Sequence, residues 1–521
     1  MNWLMKTKIS IIVLLSLLIA SSCSERLEEI NLDPNRMEAE EAVPGPLFAK
    51  SITIALHKEN FSQLLELIAD FGPMAHYFAT LYPTAFAADS YYDLRQWSDF
   101  GYWNIYWKSV GLVNDVLRLT EPGGEFENSN NHAMARIWKV YLMHKLSDAY
   151  GDIPYLESGY AGDGIINPVY NSQEDVYRDL FDQLDIALVD LETEVPGVFT
   201  TQDIIYTGDI ERWRKFVSSL KLRLALRLRY VDPDLAKMKA EEALQSGIIS
   251  SNEENAQEIS GDHWGNFGSQ IYQITTNLFA YGQSFKASAS LVEYLKGNHL
   301  YRDGSAPSGP DPRLGILIDE NPSGEYVGIE NGHTAEYYDL HPEFQTDGSW
   351  FLFHNNQYEP VTVMSYAECL FLEAEAALLA YNGTSGSAAE LYRAGIEASM
   401  EYLGADFSSY ATDEEALFSG LADDEAMLER IIYQKWIALF PDSHEAWVEQ
   451  RRTGYPVVIM RTGDDYEKGI TGGTIPNRIS YPEGELNTNY TNVSAARENQ
   501  GGDAMLDKLW WDRKTLQDSW E

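Results

Sequence analysis

Residues 360–383, PVTVMSYAECLFLEAEAALLAYNG, and residues 385–404, SGSAAELYRAGIEASMEYLG, form the most regular part of the sequence. Apolar residues recur every three or four positions in both stretches, which predicts two helices. The YNGTSG break between them predicts a turn. Small side chains recur on both helices and would let the two backbones approach closely; they are Ala374, Ala376, Ala377, Ala388, Ala389 and Ala394. The pattern predicts a tetratricopeptide-like helical pair, although no clean repeat of about 34 residues runs through the chain.

Helical periodicity continues on both sides of this hairpin and makes the predicted fold class mainly α. Residues 250–359 differ, because they are rich in Gly, Asn, Asp, Ser and Tyr and contain few periodic runs. They predict a loop-rich region inserted at about 250–359 between helical parts. A loop-like tail is expected after Tyr455. A degenerate scaffold of tetratricopeptide-like helical pairs is the favoured interpretation, and a helical bundle without repeats is the alternative. The helical segments are residues 46–79, 103–119, 131–155, 172–195, 211–231, 233–247, 360–404 and 423–454.

The first 22 residues predict a secretory signal peptide. Two lysines precede an apolar run that is shorter than the roughly 20 residues of a bilayer-spanning helix, and two serines then lead directly into Cys23. These small residues resemble a bacterial lipobox, although Ala20 stands where most lipoboxes have Leu. We therefore expect lipidation of Cys23, an acylated tether over residues 23–45 and a helical domain over 46–521. An ordinary signal peptide with an incidental cysteine is the alternative.

Charge and cysteine content exclude several function classes. The formal net charge is −42, and loss of residues 1–22, which hold two lysines and no acids, makes it −44. Such a surface repels polyanions, so no nucleic-acid partner is expected. The only cysteines are Cys23 and Cys369. With Cys23 acylated no intramolecular disulfide forms, and Cys369 is expected to be a small core residue.

Basic residues are concentrated in RWRKFVSSLKLRLALRLR, residues 212–229, which contain seven of the 38 Lys and Arg side chains. Arg223 and Arg227 lie one helical turn apart, away from the apolar face. We expect this helix to pair with carboxylates of a neighbouring helix, and a substrate-facing basic patch is the alternative. The candidate carboxylates are Glu368, Glu373 and Glu375.

A helix end is predicted at YGDIPY, residues 150–155. Gly151 is suited to a left-handed cap, Asp152 to accepting hydrogen bonds from turn amides, and Pro154 stops the helix. No catalytic meaning is required.

No motif for catalysis or metal binding stands out. The sequence lacks G-x-S-x-G, H-E-x-x-H and G-x-x-x-x-G-K-[ST], and its ten histidines are scattered, so each is expected to be a satisfied polar residue. A carboxylate pair for glycoside cleavage stays open, because acids are abundant and none is singled out by its neighbours. No catalytic residue, metal ligand or cofactor is predicted, and a structural calcium among the loop acids is left open.

Aromatic residues in loop context are the strongest candidates for ligand binding. They lie among polar residues in residues 81–100, 261–272 and 332–353, with no helical face that would bury them all. Sugar rings pack on aromatic faces, while amides and carboxylates bind their hydroxyls. The alternative is that half or more of these rings form the core of the insertion. The candidate ligand-binding residues are Tyr82, Asp89, Tyr91, Tyr92, Trp97, Trp264, Asn266, Tyr337 and Trp350.

Several blocks together resemble the SusD/RagB family of Bacteroidetes nutrient-binding outer-membrane lipoproteins. They are the lipobox-like Cys23, YGDIP, RWRKFVSSLKLRLALR, DPRL at residues 311–314, the MSYAECLFLEAEA block at residues 364–376 and residues 433–456. The resemblance covers nearly the whole mature chain. It implies a helical fold that sits as an extracellular lid on a SusC-like TonB-dependent outer-membrane transporter. It brings no ligand residues, because the matching blocks are scaffold.

The resemblance and the loop aromatics together favour a lipid-anchored protein on the outer membrane, facing the cell exterior. It would capture oligosaccharides, pass them to the transporter and carry out no catalysis. Three alternatives remain: a peptide-binding protein of the RagB type, a helical glycan-active enzyme, and a scaffold that recognises a protein segment. Cleavage of a bound oligosaccharide would favour the enzyme, and ligand binding that survives loss of the loop aromatics would favour the scaffold.

Overall fold

The computed structural model describes residues 42–57, 71–81, 102–192, 195–258, 285–349, 360–407, 409–459, 461 and 463–514. Residues 45–521 form one compact unit, and of residues 1–44 only the last three are described. The predicted signal peptide, Cys23 and most of the tether lie outside the described residues, and their boundaries stay predictions. Among the described helices, none combines the length and apolar character needed to cross a bilayer.

Many of the longer helices begin at short polar side chains that cap the first turn. Asp209 accepts a hydrogen bond from the backbone N–H of Arg212, and Ser387 and Glu390 form a reciprocal capping box. These caps satisfy N–H groups that have no partner within the helix. The helices are α1 Pro44–His57, α2 Phe71–Met74, α3 Tyr102–Thr120, α4 Ser129–Tyr150, α5 Gln173–Asp190, α6 Ile210–Arg227, α7 Pro233–Ser246, α8 Ala289–Leu295, α9 Leu314–Leu317, α10 Ala335–Leu340, α11 Glu343–Asp347, α12 Tyr366–Leu378, α13 Ala388–Leu403, α14 Tyr410–Ser419, α15 Asp424–Leu439, α16 Ser443–Thr453, α17 Glu483–Thr488 and α18 Tyr490–Asn499.

The described strands are short and pair as three two-stranded antiparallel ladders, β1 with β5, β2 with β3 and β4 with β6. In the first ladder Phe78 is opposite Ala287 and Thr80 is opposite Phe285. The ladders fasten distant segments to the helical frame and do not form a separate layer. The strands are β1 Phe78–Thr80, β2 Ile153–Pro154, β3 Tyr170–Asn171, β4 Ala256–Gln257, β5 Phe285–Ala287 and β6 Thr362–Met364.

Consecutive helices pack in pairs around two apolar cores. In the first core, α3 packs on α4, α4 on α5 and α6 on α7, with Trp138, Trp213 and Trp447 fully buried. In the second, α12 packs on α13 and α15, around Phe371 and Tyr392. The mainly α fold of helical pairs is therefore confirmed. Between residues 285 and 349 the chain carries only short helices and one strand.

The predicted hairpin is present as α12 and α13. Ala374 and Ala376 are buried, and Ala377, Ala388 and Ala394 pack partly buried against the second core. The helices approach closely at Gly395, where a Cβ atom would lie 2.7 Å from Cε1 of Phe371. The small-residue pattern therefore predicted the pairing, and Gly395 adds a close contact that the pattern of alanines did not include.

The basic helix α6 pairs with carboxylates, as predicted. Arg223 donates to both carboxylate oxygens of Glu368 at 2.7 and 2.6 Å, and Arg229 donates to Glu375 at 2.7 Å. The prediction for Glu373 was wrong, because its carboxylate accepts a hydrogen bond from the backbone N–H of Ser385 in the hairpin turn.

Further charged side chains of this buried network come from α15 and α16. Arg227 donates to Glu445, and Glu449 accepts from both Arg452 and Lys435. Arg452 also bonds to both oxygens of Glu375. Removing one partner from such a buried set leaves the other charge without compensation, so each member is costly to lose.

The YGDIPY stretch ends α4 as expected. Gly151 has φ +83° and its N–H donates to the Ser147 carbonyl, and Ile153–Pro154 then forms β2. Asp152 differs from the prediction, because its carboxylate does not serve its own turn. It accepts from the backbone N–H of Gln173 at 2.9 Å and from Asn499 Nδ2 at 2.7 Å, and so joins α5 and α18 to the end of α4.

Two other expectations have clear outcomes. Cys369 is free and fully buried, and burial raises the pKa of its thiol to about 12, which confirms it as a core residue. The loop-like tail was wrong in part, because α17 and α18 lie within it. These helices are short, and α18 is held by burial of Val493 and Ala496, a tertiary contribution that local periodicity does not reveal.

Candidate ligand-binding site

The structure describes one of the nine predicted ligand-binding residues, Tyr337, which is half-buried on α10. The other eight lie outside the described residues, in the segments 82–101, 259–284 and 350–359, here called the three ring-bearing segments. They are Tyr82, Asp89, Tyr91, Tyr92, Trp97, Trp264, Asn266 and Trp350. The described residues that flank these segments show where each one joins the fold.

One end of each ring-bearing segment joins the fold at the β1–β5 ladder. The first follows Leu81, directly after β1, and the second ends at β5, whose first residue, Phe285, pairs with Thr80. The third follows Ser349, whose carbonyl accepts a hydrogen bond from the N–H of Ala287 at 3.1 Å. One end of each segment is therefore anchored at this ladder, although the three anchors are far apart in sequence.

Tyr337 also lies beside the β1–β5 ladder. Ala79, Leu81, Ile329 and Tyr338 form a small buried cluster, and Tyr337 and Phe344 pack against it. Ile329 bonds to the sheet through its N–H, which donates to the Ala287 carbonyl at 2.9 Å. The one described member of the predicted site thus packs against the residues that lead into the first ring-bearing segment.

Tyr337 stacks with three other aromatic side chains, and we call the four together the ring stack. Its members are His333, Tyr337, Phe344 and Tyr466. The ring centroid of His333 lies 3.7 Å from that of Tyr337, with an interplanar angle of 11°. It lies 4.2 Å from the ring centroid of Tyr466, with an interplanar angle of 22°. The ring centroid of Phe344 lies 6.0 Å from that of Tyr337, with an interplanar angle of 15°. Tyr337 is therefore packed among other aromatic rings of the protein.

Backbone hydrogen bonds hold the ring stack in register. Thr334 caps α10 by accepting from the N–H of Tyr337 at 3.2 Å. The N–H of Thr334 donates to the Asp465 carbonyl at 2.8 Å, and the N–H of Glu467 donates to the Gly332 carbonyl at 2.9 Å. The segment carrying Tyr466 is thereby fixed beside the one carrying His333.

A carboxylate borders the ring stack. Glu330 accepts a hydrogen bond from the Tyr466 hydroxyl, and its Oε2 lies 3.4 Å from Nε2 of His333. The hydrogen bond with His333 is the main cause that lowers the pKa of Glu330, while burial and this carboxylate raise the pKa of Tyr466. The Glu330 side chain is 41% exposed, so a charged acceptor lies at the solvent edge of an aromatic stack. Such an arrangement suits a ligand with apolar faces and hydroxyl groups.

Sequence reasoning missed His333, Phe344 and Tyr466. His333 and Phe344 lie inside the aromatic-rich stretch 332–353, so the composition of the stretch was the available signal. Tyr466 lies 129 positions after Tyr337 in a tail that showed no pattern, and no local signal marks it. Within the described ranges, no group of three or more His, Cys, Asp or Glu side chains is placed to hold a metal ion.

Among the described residues, paired helices fastened by short two-stranded ladders define a mainly helical class of protein. The profile of a family described as starch-binding and associating with the outer membrane matches residues 34–482. The chain therefore belongs to this SusD-like family, which confirms the resemblance seen in the sequence. No match is found among curated proteins.

Solved structures agree with this assignment. A SusD homologue from Bacteroides uniformis superposes with a TM-score of 0.76 and 28% identity, covering 90% of this chain and 99% of that one. A chitin-binding SusD homologue from Flavobacterium johnsoniae gives a TM-score of 0.75 and 26% identity, with coverage of 90% and 98%. Another chitin-binding protein gives a TM-score of 0.74 and 26% identity, covering 91% of this chain and 100% of that one.

Proposed function

We propose that this protein captures oligosaccharides on the outer-membrane surface and passes them, uncleaved, to a SusC-like TonB-dependent transporter. Membership of the SusD-like family supports a role at the outer membrane. Two of the similar structures are named as chitin-binding, and the family is described as starch-binding. Glycans of repeating hexose units are therefore the first ligands to test.

The observation that carries the proposal is that the described residues flanking one end of each ring-bearing segment lie at the β1–β5 ladder, beside the cluster on which Tyr337 packs. Those segments contain six of the predicted tyrosine and tryptophan residues. Five lie in residues 82–101 and 259–284, and one lies in residues 350–359. A binding site for a sugar chain needs several aromatic surfaces within reach of one ligand, together with polar groups. Glu330, at the edge of the stack, supplies such a polar group.

The remaining parts of the proposal concern location and hand-over. We infer that acylated Cys23 anchors the mature chain through residues 23–45, with the helical domain facing the cell exterior. A lipid anchor keeps the protein on the membrane without a spanning helix. No nucleic-acid partner, cofactor or metal is required in this account, so treatment with a chelator should leave glycan affinity unchanged.

Calorimetric titration with chito-oligosaccharides and malto-oligosaccharides tests the proposal. We expect saturable binding to at least one series, with the oligosaccharide recovered at its original length by chromatography. Shortened products would favour the helical enzyme instead. Binding of a mixed peptide library with no binding of either glycan series would favour the RagB-type alternative and overturn glycan capture.

A further inference from the structure

Asn331 is buried, 4% exposed, at the point where the ring-bearing segments join the fold. Its Oδ1 accepts a hydrogen bond from the Ser288 hydroxyl at 2.6 Å, and its Nδ2 donates to the Phe78 carbonyl at 2.7 Å. Nδ2 also lies 3.5 Å from the Pro73 carbonyl. The amide thus uses its acceptor on one chain segment and its donor on another.

The two partners lie near the ends of different ring-bearing segments. Phe78 begins β1, which leads into residues 82–101, and Ser288 follows β5, which ends residues 259–284. Asn331 itself precedes α10, which carries Tyr337. One side chain therefore joins the anchors of three parts of the predicted site.

The backbones around Asn331 are packed too closely to shift independently. Ile329 and Ser288 form a parallel bridge, and the N–H of Ala289 donates to the Ile329 carbonyl at 2.7 Å. A Cβ atom on Gly328 would lie 2.4 Å from Cα of Ala289. These contacts hold residues 328–329 against residues 288–289. The hydrogen bond from the Asn331 amide to the Phe78 carbonyl adds a link to β1.

We propose that Asn331 is a positioning residue for glycan binding, because its amide sets the relative position of β1, β5 and α10. This inference rests on the proposed function. An asparagine is suited to the task because it offers a donor and an acceptor on one rigid group. A carboxylate of the same shape cannot donate to the Phe78 carbonyl, and in a buried site the unpaired groups carry a full desolvation cost.

Asn131 provides a matched control. It is also 4% exposed, its Nδ2 donates to the Gly197 carbonyl at 3.1 Å and its Oδ1 accepts from the Phe199 N–H at 2.9 Å. It lies on α4 in the first core, and its partners do not flank a ring-bearing segment. The two asparagines therefore have similar burial and bonding, and they differ in what they join.

The experiment compares Asn331→Asp with Asn131→Asp in the full mature chain. We expect both variants to lower the midpoint of thermal unfolding. Glycan affinity should fall about tenfold for Asn331→Asp and stay within about twofold of wild type for Asn131→Asp, because only the first depopulates the binding arrangement. Hydrogen exchange without ligand should accelerate in peptides covering residues 285–290 and 327–332 for Asn331→Asp alone.

The outcomes separate the inference from the proposed function. A wild-type protein that binds no glycan overturns the proposed function and the inference together. A wild type that binds, with equal affinities in the two variants, overturns the inference alone. Should Asn331→Asp fail to fold, Ser288→Ala removes the donor to Oδ1 while keeping the amide, and it should lower glycan affinity with the fold retained; unchanged affinity there overturns the inference.

Discussion

Thr80 and Phe285 face each other across the β1–β5 ladder, and each is next to a segment that carries predicted sugar-binding rings. Phe285 follows Thr80 by 205 positions in sequence, so their pairing is a property of the fold and not of local structure. The Ser349 carbonyl accepts from Ala287 in the same ladder and brings the third segment to the same place. The account of function depends on this convergence.

The ring stack should contribute directly to glycan binding. Tyr466 is half-buried at the end of the stack, and its ring packs on His333. We expect Tyr466→Ala to weaken glycan affinity by about twofold to tenfold, which corresponds to the loss of one aromatic contact. Calorimetric titration measures the change. Tyr490→Ala, at an exposed position on α18, is the control and should leave affinity unchanged; an equal loss in both variants would contradict the assignment.

The buried ion pairs should stabilise the frame without affecting the ligand. Glu368→Gln leaves Arg223 without its bidentate carboxylate in a fully buried position, and we expect a loss of about 3–5 kcal/mol in the free energy of unfolding. Urea denaturation followed by circular dichroism measures it. Glu174→Gln breaks the exposed pair with Arg178 and should cost less than about 0.5 kcal/mol. Similar losses in both variants would show that burial does not govern these pairs.

Gly395 should be intolerant of a side chain, although it lies within a helix. Gly395→Ala would place its Cβ against Phe371, and we expect it to destabilise the protein by about 1–3 kcal/mol. On α3, a Cβ atom added at Gly111 would meet no described atom within 4 Å beyond its own helical backbone and chain neighbours, so Gly111→Ala should stabilise the protein by about 0.5–1 kcal/mol. The midpoint of thermal unfolding should fall for Gly395→Ala and rise for Gly111→Ala. Shifts of the same sign in the two variants would contradict this explanation.

Buried histidines should make stability fall on acidification. Burial, followed by nearby cationic side chains, lowers the pKa of His444 and His144 well below the usual value, and the pKa of His76 to about 3. The unfolded chain binds protons at these groups below about pH 6.5, and the folded chain does not. Unfolding therefore takes up protons, so their contribution is complete above about pH 6.5 and declines as the pH falls toward the folded-state values.

His444→Phe isolates this effect. Neither ring nitrogen of His444 has a hydrogen-bond partner among the described residues, and the ring stacks on Tyr102. The variant should keep the packing and lose less stability than wild type between about pH 7.5 and pH 5.5, as measured by urea denaturation at each pH. Tyr141→Phe, a nearby buried change without a group that titrates in this range, should retain the wild-type slope. A slope that His444→Phe leaves unaltered would contradict the explanation.

The helical frame was predictable to the extent that its signals are local. The period of residues 360–404 predicted α12 and α13, and the excess of arginine in residues 212–229 predicted the pairing with Glu368. Glu445 and Glu449 were not predicted as partners, because α16 reaches α6 through tertiary packing alone. The same reason explains His444, which was expected to have hydrogen-bond partners and instead packs as a buried neutral ring.

The candidate site was predictable in composition but not in arrangement. The density of rings among polar residues marked three stretches, and Tyr337 is the one predicted member that the structure describes. That their anchors meet at the β1–β5 ladder follows from a register that no single stretch encodes. Tyr466 enters the site through hydrogen bonds between residues 332–334 and 465–467, which link segments that carry no shared pattern.

Hydrogen-exchange mass spectrometry with and without a saturating oligosaccharide tests the central claim most directly. The account predicts that a bound glycan slows exchange together in peptides covering residues 82–101, 259–284, 333–344 and 350–359, with little change on α6 and α12. Protection restricted to another part of the chain, or to one of these four stretches alone, would contradict the claim that their anchors bring them into one glycan-binding site.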